Sequence, residues 1–336
     1  MTNTSLQGPL KNKVIAITGG GRGIGLAIAE ALIAQGARVS IGDIDVELAE
    51  REAKHIGAHA GLLDVRDRAS FAAFIADTEA TLGPLYALIN NAGIMPMGYF
   101  LDEDPALADA QIDINFRGVI HGMQAALPGL LQRSSGHIVN IASLAGRFAL
   151  PGSAVYTGTK FAVVGMTEAV AGEYRDSGVE FTCIMPSKVL TELTSGTEKA
   201  ASIIPAVTPE QVAEAVVGAL LKPRLMIAVP DYLQAAHRAY TVIPGWLQER
   251  GRRLFDDNRI LTQLDHAAHA SYEQRINQLA RPVKKGKPHE TAAAYRPPLG
   301  KNGPADELQI TQLAPPATGR ASPGHGRRRT TVSTPH

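Results

Sequence analysis

From Val14 onward the apolar positions of the chain keep a double rhythm: a short β-branched run, a turn, then a longer stretch with apolar residues at helical spacing. The short runs predict strands over Val14–Thr18, Arg38–Gly42, Ala60–Leu63, Ala87–Ile89, His137–Ile141, Glu180–Ile184 and Met226–Val229. Most of these runs are uniformly apolar rather than alternating, so neither face of the sheet is wetted, which is the mark of parallel strands covered by helices on both sides. Helices are predicted over 23–35, 45–56, 68–81, 106–132, 153–176 and 209–221, with Gly36, Gly57 and Gly178 placed where helices commonly stop. The expected class is therefore α/β, a doubly wound parallel sheet of about seven strands in a single domain.

Four stretches depart from this rhythm. Residues 1–12 form a polar leader, and residues 193–208 interrupt the pattern as a long loop, read either as an active-site flap or as plain surface. The catalytic domain is expected to span 13–230, and residues 231–280 form a helical, partly amphipathic C-terminal extension without strands. Residues 281–336 hold nine of the 21 prolines and ten Lys/Arg against three Asp/Glu, which predicts a disordered basic tail. Its runs Arg327-Arg328-Arg329 and Lys284-Lys285 leave contact with nucleic acid or an anionic surface open, beside the simpler reading of solvated charge.

Composition narrows the classes. The formal net charge of +1 gives no global pull toward nucleic acid or membrane, and no run approaches the roughly 18 consecutive apolar residues that span a bilayer. No secretion signal is read at the N-terminus. The single cysteine, Cys183, lies in an apolar run and is read as a small core residue. A cytoplasmic location is the expectation that fits.

The first strand runs into Thr18-Gly19-Gly20-Gly21-Arg22-Gly23-Ile24-Gly25, and a helix opens there. Such glycines let a backbone turn tightly and approach a pyrophosphate, while the helix N-terminus offers unpaired N–H groups. Asp43 ends the second strand 18 residues after Gly25, where a carboxylate reaches ribose hydroxyls and repels a 2′-phosphate. NAD is thereby favoured, with NADP kept open by Arg22. For Asp43 a capping role, and for Asp64 a turn role, stand beside cofactor contact; Asp64-Val65 sits at the adenine end.

Tyr156 and Lys160 lie four apart on one face of the predicted 153–176 helix. A phenol needs a nearby cation to titrate near neutrality, which such a lysine supplies. Ser143 follows the fifth predicted strand, Asn90-Asn91-Ala92-Gly93 follows the fourth, and Asn115 interrupts a helix interior with a side chain poorly suited to it. His266 and His269 are spaced for a shared metal but lack a third ligand, and no metal is expected.

Taken in order, the glycine turn, Asn90-Asn91-Ala92-Gly93, Asn115, Ser143 and Tyr156-x-x-x-Lys160 resemble the short-chain dehydrogenase/reductase family over about residues 10–230. The resemblance implies a Rossmann domain binding NAD(P), a hydride transfer to or from an alcohol or ketone, and metal-free chemistry. It implies Tyr156 as general acid or base, Lys160 tuning it and holding the nicotinamide ribose, Ser143 orienting substrate, and Asn115 placing a proton path. It also implies cofactor contact from Thr18, Gly19, Arg22, Gly23, Ile24, Gly25, Asn91, Ala92, Gly93, Tyr156, Lys160, Pro186, Val189 and Thr191, and assembly as a homodimer or homotetramer. One departure is Ser187 where many members have glycine; a left-handed backbone there would cost on the order of 1 kcal/mol. Ile94, Met95, Met97, Tyr99, Ala145, Phe148 and Leu150 are candidates for an apolar substrate pocket suited to a lipophilic alcohol or ketone, with ordinary core packing as the competing reading. A dinucleotide-binding regulatory or scaffold protein with weak turnover is the alternative class.

Overall fold

The computed structural model describes residues 8–197, 205–254 and 259–279. The tail at 281–336, the first seven residues and part of the 193–208 stretch lie outside them.

Seven strands form one parallel sheet in the order β3-β2-β1-β4-β5-β6-β9. They are β1 (Val14–Thr18), β2 (Arg38–Asp43), β3 (His59–Leu62), β4 (Leu85–Asn90), β5 (Gly136–Ile141), β6 (Val179–Pro186) and β9 (Met226–Val229). Two further strands of two residues, β7 (Lys188–Val189) and β8 (Ala206–Val207), pair with each other and frame the ends of the predicted loop. A pairing this short carries no period, which is why the residue pattern did not reveal it.

Helices cover both faces. On one side α1 (Gly23–Ala34), α2 (Val46–Ile56) and α7 (Pro209–Leu221) close a core that includes Ile15, Ile17, Ile28 and Ile41. On the other, α3 (Arg68–Leu82), α4 (Pro105–Ile112), α5 (Gly118–Gln132) and α6 (Ala154–Glu173) bury Phe71, Leu88, Leu130 and Ile138. Gly36 and Gly57 sit at positive φ after their helices, as expected of helix stops, whereas α6 already ends at Glu173 with Tyr174 as its cap, and Gly178, also at positive φ, belongs to the turn that enters β6.

The stretch expected as one helix over 106–132 is three pieces. Asp104 caps α4 by accepting from the Ala106 N–H, and a π-turn over Asp113–Arg117 separates α4 from α5. The added residue in that turn rotates Asn115 inward, where it is fully buried.

The C-terminal extension contains α8 (Tyr232–Thr241), α9 (Gly245–Leu254), α10 (Arg259–Gln263) and α11 (His266–Leu279). Of these, α11 returns to the carboxyl edge of the sheet, packing against α4 and against the one-turn segment Glu192–Thr194.

Candidate active site

β1 has β2 on one side and β4 on the other, so chain direction across the sheet reverses at the gap between β1 and β4, the crevice where open α/β sheets take ligands. A cavity of about 630 Å³ opens there, lined by the glycine turn at Gly19, Arg22, Gly23 and Ile24, by Asp43, Asp64 and Val65, and by Asn91, Ala92, Gly93 and Ile94.

The glycine turn is built for close approach. Gly19 lies at φ 62°, and a Cβ on it would stand 2.9 Å from the Ala92 Cα. A Cβ on Gly25 would meet the Gly19 carbonyl oxygen at 2.2 Å, so α1 rests on the turn as only glycine permits. No side chain caps α1, so its leading N–H groups and positive end face the cavity, an arrangement suited to a pyrophosphate. Thr18 holds the turn in register: its hydroxyl oxygen accepts from the N–H groups of Asn91 and Ala92 at 2.9 and 3.0 Å. In return, the Asn91 amide donates to the carbonyls of Thr18 and Gly19.

Asp43 does two things at once. One carboxylate oxygen accepts from the Gly21 N–H at 3.1 Å and the other from the Asp45 N–H at 3.1 Å, and the group still borders the cavity. The cap of α2 falls to Asp45, which accepts from the Leu48 N–H and also pairs with Arg22 at 2.7 Å. Asp64 accepts three bonds from Arg66, two from the guanidinium at 2.8 and 2.7 Å and one from the backbone N–H at 3.0 Å. Burial alone would raise the Asp64 carboxyl, but the hydrogen bonds and charge of Arg66 hold it below its ordinary value.

Behind Gly93 lie the predicted chemical groups. The Asn115 carbonyl oxygen accepts from the Ile94 N–H at 2.8 Å, and its amide donates to the Ile94 carbonyl at 2.8 Å and to Thr159 at 3.3 Å. Lys160 donates to the Ile141 carbonyl at 2.9 Å, and its ammonium sits 5.6 Å from the centre of the Tyr156 ring. Ser143, half-buried ahead of the one-turn segment Leu144–Gly146, accepts from the Ala145 N–H at 3.1 Å, and its hydroxyl lies close enough to the Tyr156 phenol to favour the charged form. Ser143, Asn115, Tyr156 and Lys160 thus come together as one cluster, although none of the four is part of the cavity wall itself.

Burial dominates the electrostatics. It pushes the Tyr156 phenol up to about 12, with the Ser143 hydroxyl acting in the opposite sense, and it lowers the Lys160 ammonium to about 8. In this structure the lysine does not outweigh desolvation, contrary to the simple expectation that it brings the phenol toward neutrality.

Other predicted residues spread out. Thr191 lines the cavity, whereas Pro186 closes β6 and Val189 is buried in the small β7–β8 pair, where its carbonyl accepts from Thr194 at 2.6 Å. Ser187 is not among the residues at positive φ; it pays no strain, and its hydroxyl donates to the Pro205 carbonyl at 2.7 Å. Met95 and Ala145 pack on Tyr156, joined by Met97 and Leu193. Phe148 instead packs its ring on His237 and Tyr240 of α8, at 5.0 and 5.2 Å, and Tyr99 is exposed. His269 is turned toward the Ser195 carbonyl, 2.8 Å away.

The residues that the sequence pattern missed come from α11. Tyr272, Arg275, Ile276 and Leu279 form one wall of the cavity. The Tyr272 hydroxyl accepts from the Met95 N–H at 2.8 Å, Arg66 donates to the Leu279 carbonyl at 2.7 Å, and Arg275 pairs with Glu192. Nothing local marks Tyr272, because its partner is 177 residues away in the chain.

The family pattern described as short chain dehydrogenase matches residues 13–202, more than half of the chain. The chain belongs to the short-chain dehydrogenase family. It is 42% identical over 185 residues to 2-(S)-hydroxypropyl-CoM dehydrogenase 3 of Xanthobacter autotrophicus, covering 54% of this chain and 72% of that protein. It is 36% identical to an acetoacetyl-CoA reductase of Synechocystis, over 55% of this chain and 75% of that one. Among solved structures, a short chain dehydrogenase/reductase from Burkholderia phymatum in complex with NAD superimposes with a TM-score of 0.62 at 25% identity, covering 68% of this chain and 92% of that one. As a short-chain dehydrogenase the protein is an oxidoreductase with a Rossmann-type sheet. The match ends at residue 202, so the α11 wall lies beyond it.

Proposed function

We propose that this short-chain dehydrogenase uses NAD to interconvert a lipophilic alcohol and its ketone, with Tyr156 as the proton-transferring group. The observation that carries the reading is the cluster in which the Tyr156 phenol lies beside Ser143 and the buried Lys160, immediately behind the cavity at the β1–β4 crevice. The glycine cradle, the open N-terminus of α1 and the carboxylate of Asp43 fit a dinucleotide without a 2′-phosphate. Bound there, the nicotinamide supplies or receives the hydride.

The chain's own groups handle the proton. In oxidation the Tyr156 oxygen takes the alcohol proton as the hydride leaves carbon; in reduction the phenol returns it to the ketone oxygen. Ser143 holds the substrate oxygen beside the phenol. The Lys160 charge stabilises the phenolate, and Asn115 keeps the Gly93–Ile94 backbone in place next to it. Two relatives, a dehydrogenase and a reductase by name, support chemistry at a carbon bearing hydroxyl or keto oxygen. The apolar surround of Met95, Met97, Ala145 and Leu193 favours a hydrophobic substrate.

In this reading residues 13–230 are the catalytic domain and 231–280 an extension that covers it. Assembly as a homodimer or homotetramer through α4, α5 and α6 and a cytoplasmic setting complete the proposal. Tyr156→Phe is expected to lower turnover by about 10²-fold or more while leaving the affinity for NAD unchanged. A screen of hydrophobic alcohols and ketones, read by NADH absorbance with NAD and NADP side by side, checks it; full activity of the variant sinks the role given to Tyr156, and a preference for NADP sinks that of Asp43.

A further inference from the structure

The glycine turn carries a cation into a cavity wall that also holds two carboxylates, and how these charges pair bears on which dinucleotide the crevice accepts. Arg22 is the N-cap residue of α1 and Asp45 that of α2, and both border the cavity together with Asp43. The two Asp45 oxygens are divided between separate tasks. One caps α2 by accepting from the Leu48 N–H at 3.2 Å, and the other accepts from Nη2 of Arg22 at 2.7 Å. The Asp45 N–H in turn donates to Asp43 at 3.1 Å, which fixes the guanidinium at the end of β2, beside the carboxylate read above as excluding a 2′-phosphate.

A guanidinium at that place suits a phosphate, which it grips through paired N–H groups. Here one of its terminal nitrogens already meets a carboxylate. The other lies 4.0 Å from Glu192, but Glu192 is itself paired with Arg275 of α11, so the hydrogen-bonded partner of Arg22 is Asp45. Both side chains of the pair are partly exposed, so it adds little to stability, and its consequence lies in what Arg22 is left free to bind. Asp43 is a weakened repeller on its own, because its oxygens accept from the Gly21 and Asp45 N–H groups. Two carboxylates against one guanidinium leave this wall one negative charge; without Asp45 it is neutral and Arg22 is released.

We propose that Asp45 is a specificity-determining residue for the cofactor: by engaging Arg22 it keeps that guanidinium from a 2′-phosphate and turns the site toward NAD. The proposal rests on the NAD reading above and adds that the choice is made by Asp45 through Arg22, not by Asp43 alone.

Asp45→Asn tests this with the helix cap retained, because asparagine caps as well as aspartate does while carrying no charge. The full-length parent, Asp45→Asn, Arg22→Ala and the double variant are titrated with NADH and with NADPH in the absence of substrate, binding being read by nicotinamide fluorescence and by calorimetry. The parent is expected to bind NADH more tightly than NADPH. Asp45→Asn, with an unfolding midpoint close to the parent's, is expected to raise affinity for NADPH relative to NADH by about fivefold or more. In the double variant that ratio is expected to return to the Arg22→Ala value. An unchanged ratio in Asp45→Asn overturns the proposal, and so does a gain that persists without Arg22, which traces it to lost repulsion by Asp45 itself. A parent that prefers NADPH overturns the NAD reading along with it, whereas the other two failures, in a parent that prefers NADH, strike this proposal alone.

Discussion

Lys160 carries an ammonium into a place where, among the described residues, the Ile141 carbonyl accepts from it, and burial draws its titration down to about 8. Below that pH both the native and the unfolded lysine are protonated, and the native state bears the full cost of the buried charge. Between about 8 and the ordinary lysine value of 10.5 the native group releases its proton first, so this cost fades and stability from this residue rises with pH. Lys160→Met is therefore expected to match or exceed the parent in unfolding midpoint at pH 7, with the difference shifting in the parent's favour as pH climbs through that window. Turnover of the variant is expected to fall by about 10²-fold or more at every pH. Differential scanning calorimetry from pH 7 to 10 beside activity assays checks both halves. A group that weakens the fold where it is most charged, yet lies beside the phenol, is one retained for chemistry. The pairing of Tyr156 and Lys160 was legible because four residues make one helical turn. Its electrostatic sign was not, because desolvation depends on what packs around α6.

At the scale of elements, β4, β5 and α6 are tied by a buried polar chain: Asn90 donates to the Asn140 carbonyl oxygen at 2.8 Å, and the Asn140 amide donates to Thr167 at 2.9 Å. Asn140 is fully buried, so Asn140→Ala strands its partners in apolar surroundings. A loss of about 2 kcal/mol or more of unfolding free energy is expected in urea denaturation, with cofactor affinity reduced less than stability. The seven strands of the main sheet and the helices between them could be read from the sequence because each strand is a distinct apolar run and each helix is long enough to show helical spacing. The division of the 106–132 stretch at the π-turn could not, since one added residue leaves helical spacing almost intact while turning Asn115 toward Ile94. Asn115 itself gave the hint, as a polar residue in a helix interior, without saying which backbone it would hold. Ser187 illustrates the converse: the residue was noticed, but the strain attached to it depended on a backbone angle that composition does not encode.

On the scale of the whole molecule, the site has two walls of different origin. The sheet edge supplies the glycine turn and Asp43, with the Tyr156 cluster behind them, and α11 lines another side through Tyr272, Arg275 and Leu279. Leu193 of the Glu192–Thr194 turn packs against Met95, Ala145 and Tyr156, and α11 packs on the same turn. Tyr272→Phe leaves the buried Met95 N–H without its acceptor, a loss of about 1–3 kcal/mol concentrated in the docking of α11. Faster amide exchange at Met95 and along α11, and faster release of NAD in stopped flow, are the expected outcomes; unchanged exchange rates would remove α11 from any part in retaining the cofactor. That α11 is helical follows from its residue pattern, but its destination does not, because the contact between Arg66 and Leu279 spans 213 residues. This distance has a bearing on synthesis. A ribosome delivers β1, the glycine turn and the Tyr156 cluster long before Tyr272, and β9, which completes the sheet, still precedes α11. The emerging chain can assemble its sheet while the crevice is open to solvent, and the last described helix to arrive seals it. Ribosome-bound chains halted between β9 and α11 would thus expose a finished floor without its roof, a vulnerable interval in which proteases and chaperones meet the site before substrate does.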